Sequence, residues 1–242
     1  MTQASGIITR SRPTNMAATM KRKRNLPLVE CTISTPHPSS DAGANGKIYI
    51  TVRKDLSPIA SNVFLHLVES QYYDGVFIFR VLTNFVAQWG VRCDPWPDAK
   101  PSKMTDTIDN NRTLSNRRGT LSFAGGNPAN RQVFVNLNDS NVRLDLENSR
   151  PFATIDNVSM LVLDQLYTGY KDGQGQMQAL KKGPDATLAQ FPRMSRSIIV
   201  VLLCIEPNLY GAGYFQYHDN QKFCVACVCF NKLVPRTDSS NF

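Results

Sequence analysis

A mainly β fold, a closed antiparallel eight-stranded β-barrel capped by two α-helices, is the architecture this sequence predicts. Two observations carry the prediction. Seven or eight short stretches show the two-residue alternation or the β-branched and aromatic enrichment of strands, whereas only two stretches show helical spacing. That many short strands with so few helices favour closure, because a barrel has no edges left to pair wrongly.

The first strand is read at Ile48, Ile50 and Val52, which alternate with Tyr49 and Thr51. Ser57-Pro58 opens a helix, with Ser57 as N-cap and proline at the first helical position, where its missing N–H costs nothing. Ile59, Val63, Leu67 and Ser70 follow at helical spacing, and Phe64 and Val68 widen the apolar stripe. Tyr73-Asp74-Gly75 marks a turn. Val76 to Leu82 and Phe85 to Val91 then read as strands, and the proline-rich polar stretch from Cys93 to Asn116 reads as a long loop. Gly119 to Ala124, Gln132 to Leu137 and Phe152 to Ile155 are three further strands. Ser159 to Tyr170 is the second helix, placing Met160, Leu163, Leu166 and Tyr167 on one face with Gly169 near its end. A loop rich in Gly, Gln and Lys leads to a last strand at Ile198 to Leu203.

These elements define a domain over residues 46–203. Residues 1–45 are short of large apolar side chains and cannot offset the entropy of ordering, so a basic, disordered extension is expected there. Residues 204–242 form a C-terminal extension whose structure the sequence does not reveal. The net charge of +8 comes from 27 basic against 19 acidic side chains. Six of the basic ones, Arg10, Arg12, Lys21, Arg22, Lys23 and Arg24, lie in the first extension, which leaves the rest of the chain nearly neutral. Nucleic acid is therefore not an expected partner of the body, since a nucleic-acid footprint should cluster on the domain itself. No apolar run approaches the length of a membrane span, so no membrane partner is expected. The cluster Lys21–Arg24 is compatible with a nuclear or cytoplasmic location, and the acid-free N-terminus with organelle targeting. Six cysteines in a chain of this length do not make a disulfide scaffold, and Cys224-Val225-Ala226-Cys227 lacks the second ligand pair that zinc would need.

The body is poor in nucleophilic chemistry. Of three histidines, His37 and His218 fall in the extensions and His66 lies among core positions of the first helix. No metal-ligand spacing is present, and Gly125-Gly126 precedes a strand rather than a phosphate-cradling helix. No cofactor and no metal are expected. The anomaly is Arg80, which interrupts Val76-Phe77-Ile78-Phe79-Arg80-Val81-Leu82 where alternation would set it beside Ile78 and Leu82. Alone, it reads most simply as an outward arginine in a weak surface pair, and Phe85, Val86 and Phe134 as core.

Taken together, these residues resemble a known signature. Phe79-Arg80 followed by Phe85-Val86-Ala87-Gln88-Trp89-Gly90 resembles the cyclophilin motif Phe-His-Arg with Phe-Met-x-Gln-Gly-Gly, at the same spacing. Gly119-Thr120-Leu121-Ser122-Phe123-Ala124 resembles the family's Gly-x-Leu-Ser-Met-Ala strand. Arg131-Gln132-Val133-Phe134-Val135 resembles its Ser-Gln-Phe-Phe-Ile strand, and Leu144-Asp145 and Pro151-Phe152-Ala153 continue in order. The resemblance covers about 155 residues without reordering.

It implies a peptidyl-prolyl cis-trans isomerase acting on proline-containing protein or peptide clients, as a monomer, with Arg80, Phe85, Gln88 and Phe134 as catalytic residues. Val86, Phe123, Ala124, Gln132 and Leu144 are the implied substrate-binding residues. Such chemistry needs no nucleophile or cofactor, only a cation that favours the twisted prolyl amide over the planar one. Three positions depart from the family pattern: its pocket methionine is Val86, its tryptophan before Leu-Asp is Arg143, and its late histidine falls near Ser149. The alternative they leave open is a catalytically weak, proline-peptide-binding module within a larger assembly. Because that tryptophan contributes to cyclosporin binding in the family, weak cyclosporin binding is expected here.

Overall fold

The computed structural model describes residues 26–37, 40–94, 114–170, 172–204, 213–218 and 221–224. Ten strands run β1 (Leu28–His37), β2 (Ser40–Val52), β3 (Arg80–Val81), β4 (Val86–Trp89), β5 (Thr120–Phe123), β6 (Val133–Asn136), β7 (Pro151–Ile155), β8 (Arg196–Cys204), β9 (Gly213–His218) and β10 (Gln221–Cys224). Their order in the sheet is β10-β9-β8-β1-β2-β7-β5-β6-β4-β3, and every pairing is antiparallel. The sheet curls into a half-barrel. Outside the named strands Phe77 forms an antiparallel bridge to Arg196 of β8, with Ile78 N–H donating to the Ser195 carbonyl at 2.8 Å and Ser197 N–H to the Val76 carbonyl at 2.9 Å.

One face of the sheet holds the main core. Val29, Cys31 and Ile33 of β1, Ile48, Ile50 and Val52 of β2, and Leu121, Val133, Val135, Phe152 and Ala153 are all buried there. Helix α1 (Pro58–Glu69) packs against β7 and β8. Its apolar stripe, Val63, Phe64, Leu67 and Val68, sinks into the core, and Ser57 at the N-cap ties it to β7 by donating its hydroxyl to the Pro151 carbonyl at 3.0 Å. Helix α2 (Asn157–Leu163) starts at Asp156, whose carboxylate accepts the Ser159 N–H at 2.7 Å. It lies so close on β2 that a methyl group at Gly46 would come within 2.3 Å of Val162 Cγ1.

Several sequence-based expectations need correction. The first extension does not run to residue 45: Leu28–His37 is a strand between β2 and β8, ordered because burial of Val29, Cys31 and Ile33 offsets its entropy cost. Glu30 and Thr32 between them are the alternating partners. At the other end, β9 and β10 fall in the stretch assigned to an extension, with β9 continuing the sheet from Leu203 and Cys204. The second helix spans Asn157–Leu163 rather than Ser159 to Tyr170; Leu166 still reaches the core, through turns after the helix. The Gly-, Gln- and Lys-rich stretch holds two helices, α3 (Gln174–Leu180) and α4 (Pro184–Gln190), so the described residues have four α-helices, not two. Both are seven residues long and polar, too short for a periodic signal. Leu180, Met177, Leu188 and Phe191 nonetheless seat them in a second apolar cluster around Phe77 and Phe79. Most of the loop expected from Cys93 to Asn116 lies outside the described residues.

Candidate active site

Strand parity decides which side chains meet. Cα registers pair Arg80 with Gln88, Gln88 with Phe134, and Phe134 with Ser122, across β3, β4, β6 and β5. Side chains opposite one another in a ladder share a face. The next register line, Val81 with Ala87, Val135 and Leu121, faces the main core. Arg80 therefore stands on the outer face of the sheet with Gln88 and Phe134. It does not share a face with Ile78, as uninterrupted alternation required. Ile78 and Val81 both enter the main core, so the chain changes parity between them and β3 is only two residues long.

Arg80 is held from several sides. Its Nε and NH2 reach Asp172 Oδ1 at 3.1 and 2.9 Å, and its NH1 donates to Gln88 Oε1 at 3.2 Å. Gln88 Nε2 in turn donates to Gln132 Oε1 at 2.9 Å. The guanidinium carbon lies 5.6 Å from the centroid of the Phe85 ring, within cation–π range. A methyl group at Gly173 would lie 3.3 Å from the Arg80 Cβ and Cγ, so the loop carrying Asp172 packs against the arginine stem.

Beside this cation is a separate apolar cluster of Val86, Phe134 and Leu144, with Phe85 and Ala124 packed on it. Phe85 sits on the turn between β3 and β4, closed by Leu82 N–H to the Val86 carbonyl at 2.9 Å. Its carbonyl accepts from Leu137 N–H at 2.8 Å and from Asn141 Nδ2 at 2.7 Å, which fixes the turn to the 3-10 segment Asp139–Glu147 carrying Leu144. Ala124 is placed where β5 ends, its N–H donating to the Gln132 carbonyl at 2.9 Å.

A buried polar hub supports these walls. Asn116 Oδ1 accepts from Ser122 Oγ and Asn136 Nδ2, both at 2.9 Å. Asn136 Oδ1 accepts from Asn141 Nδ2 at 2.9 Å. Asp145, next to Leu144, accepts from Asn116 N–H at 2.9 Å, from Asn116 Nδ2 at 2.7 Å and from the Ser115 hydroxyl. Burial pushes the Asp145 carboxyl up. The bonds from Ser115 and Asn116 and the charge of Arg150 outweigh it, holding the group below its ordinary range.

Of the residues expected at the site, Arg80, Phe85, Val86, Gln88, Ala124, Gln132, Phe134 and Leu144 are brought together. Phe123 is not. It lies on the Trp89–Val133 register line, is buried in the main core, and stacks on Phe152 at 4.8 Å between centroids. Its neighbours Ser122 and Ala124 point the other way, as alternation requires. Ser149 is also buried, its carbonyl accepting from Asn116 Nδ2 at 2.5 Å. The sequence reading missed Asp172, Asn116, Asn136 and Asn141. No local pattern marks them, because their partners lie between 5 and 92 residues away along the chain. Among the described residues no cluster of three or more His, Cys, Asp or Glu could hold a metal ion.

A curled antiparallel sheet whose outer face sets Arg80, tied to Gln88 and Asp172, beside an apolar cluster of Phe85, Val86, Phe134 and Leu144 defines the class: a β-sheet protein with a fixed cation against aromatic and aliphatic side chains. The family model described as "Cyclophilin type peptidyl-prolyl cis-trans isomerase/CLD" matches residues 39–182, more than half of the chain. This chain belongs to that family. A peptidyl-prolyl cis-trans isomerase of Acinetobacter baylyi is 28% identical over 145 residues, 57% of this chain and 76% of that protein. Among solved structures, a Cryptosporidium parvum cyclophilin type peptidyl-prolyl cis-trans isomerase aligns with a TM-score of 0.49 at 18% identity, covering 73% of this chain and 97% of its own. The same protein in the presence of the dipeptide Ala-Pro aligns with a TM-score of 0.49 at 18% identity, over 72% and 98%.

Proposed function

We propose that this chain accelerates rotation about X-Pro bonds in proline-containing protein and peptide clients, with Arg80 as the electrostatic catalyst. The observation that carries the reading is the meeting of Arg80 with Phe85, Val86, Phe134 and Leu144, a fixed cation beside an apolar cluster that we read as the proline cleft. An X-Pro bond is held planar by resonance, with a barrier of about 18–20 kcal/mol. As the bond twists, the prolyl nitrogen regains its lone pair. A guanidinium oriented toward that nitrogen stabilises the twisted state more than the planar one, which is the differential binding that catalysis requires.

The division of labour follows from position. Phe85, Val86, Phe134 and Leu144 hold the ring, Ala124 lines the groove for the rest of the peptide, and the chain Arg80–Gln88–Gln132 keeps the guanidinium aimed. For the frame, we infer that the sheet closes into an eight-stranded barrel from β8 through β1, β2, β7, β5, β6 and β4 to β3. The Phe77–Arg196 bridge and its two flanking hydrogen bonds support that closure. The chain is proposed to act as a monomer. For its location, the cytoplasm or nucleus is proposed on the cluster Lys21–Arg24; imaging the tagged chain with and without residues 1–30 tests it.

Exchange spectroscopy on a short Ala-Pro peptide, with and without catalytic amounts of the protein, tests the activity. The expected outcome is accelerated exchange that Arg80→Ala lowers on the order of 100-fold in kcat/KM, the scale of losing one preorganised electrostatic group. Equal rates for the two proteins, with the peptide still bound, would leave a proline-binding module instead.

A further inference from the structure

The Phe85 ring is approached by two guanidinium groups, and they are not equivalent. Arg80 lies 5.6 Å from its centroid and is committed to Asp172 and Gln88. Arg143 lies 5.0 Å from the same centroid, on the exposed side of the 3-10 segment, immediately before Leu144 of the cleft. Among the described residues Arg143 has neither an ion pair nor a hydrogen bond to its guanidinium. It is an exposed cation beside the cleft, steadied by the face of the Phe85 ring.

We propose that Arg143 determines client specificity by pairing with a carboxylate side chain within two residues of the proline, so that acidic X-Pro segments are favoured over neutral and basic ones. This rests on the reading of the cleft as the proline site. The reach is sufficient: the two arginines share a ring and so lie at most about 11 Å apart, while an extended peptide advances about 3.3–3.6 Å per residue. A proline against Phe85 therefore places its near neighbours within one side-chain length of Arg143. The planar fork of arginine suits a carboxylate in two-point contact. Because Arg143 is exposed, the pair is screened by salt and its contribution is modest.

The test is a peptide series measured by exchange spectroscopy: Ala-Ala-Pro-Phe peptides carrying Glu, Gln or Lys either two residues before the proline or two residues after it. At low salt, the wild-type protein is expected to favour Glu over Gln by roughly 2- to 5-fold in kcat/KM at one of the two positions, the range of an exposed ion pair. The order should run Glu, Gln, Lys, and high salt should compress it. Arg143→Gln should flatten the series and Arg143→Glu should reverse it. The readout is a ratio between peptides, so a lower folded fraction of a variant does not affect it. Catalysis without charge preference at either position, or a preference unchanged in Arg143→Gln, overturns the proposal while leaving the isomerase reading intact. If no peptide is turned over, the isomerase reading fails. The same Glu-to-Lys ratio, read as peptide Kd by titration, then decides the role of Arg143 separately.

Discussion

Arg80 and Asn136 show how differently one side chain can matter. The Arg80–Asp172 pair has its carboxylate 73% exposed, and such pairs contribute at most about 1 kcal/mol. Asp172→Asn is therefore expected to shift unfolding stability by less than about 1 kcal/mol in urea titrations. Asn136 is fully buried and joins Asn116, Thr120 and Asn141. Asn136→Ala leaves several of those groups unpaired, and a loss of about 2–3 kcal/mol is expected in the same measurement. Cys31 illustrates burial acting on chemistry. Desolvation, aided by the nearby charges of Asp74 and Glu30, pushes its thiol up to about 12, so almost no thiolate forms at neutral pH and none is reachable. Alkylation of the native protein followed by peptide mass analysis should leave Cys31 unmodified until the chain is denatured.

At the level of elements, the cleft is held by the clamp between the β3–β4 turn and the segment Asp139–Glu147. Asp145 anchors that segment in its ionised form. Its folded carboxyl lies below the ordinary range, so the stability it supplies is present above that range and is lost as pH falls through the lower, folded value. Acidification should therefore reduce the urea midpoint of the wild-type protein, and its advantage over Asp145→Asn should shrink as the carboxylate is protonated. Measuring both midpoints across the acid range checks this. A constant gap would show that Asp145 is not titrating in the clamp.

For the whole molecule, the decisive element is β1. It lies between β2 and β8 and precedes the residues that match the family model. Full burial of Val29 and Ile33 alone contributes roughly 1.5–3 kcal/mol for each side chain, and removing the strand would also strand the ladders on both sides. Deleting residues 1–25 is expected to leave the melting temperature nearly unchanged, whereas deleting residues 1–37 should abolish cooperative unfolding. Calorimetry or thermal circular dichroism on the two truncations distinguishes them.

The alternating strands at Ile48–Val52 and Leu121–Phe123, the Ser57-Pro58 helix start and the spacing from Arg80 to Phe85 and Gln88 were all legible in the sequence. Local periodicity and short-range spacing are properties of the chain alone. Val29, Cys31 and Ile33 carry the same alternation, but polar composition hid it. What only the tertiary structure decided was facing and partnership. A parity change between Ile78 and Val81 turned Arg80 outward, and alternation turned Phe123 inward. Asp172 met Arg80 across 92 positions of sequence, and short polar helices were secured by an apolar cluster formed elsewhere. Each of these depends on a contact between distant segments, and no local pattern records the energy of a contact that exists only once the sheet has curled.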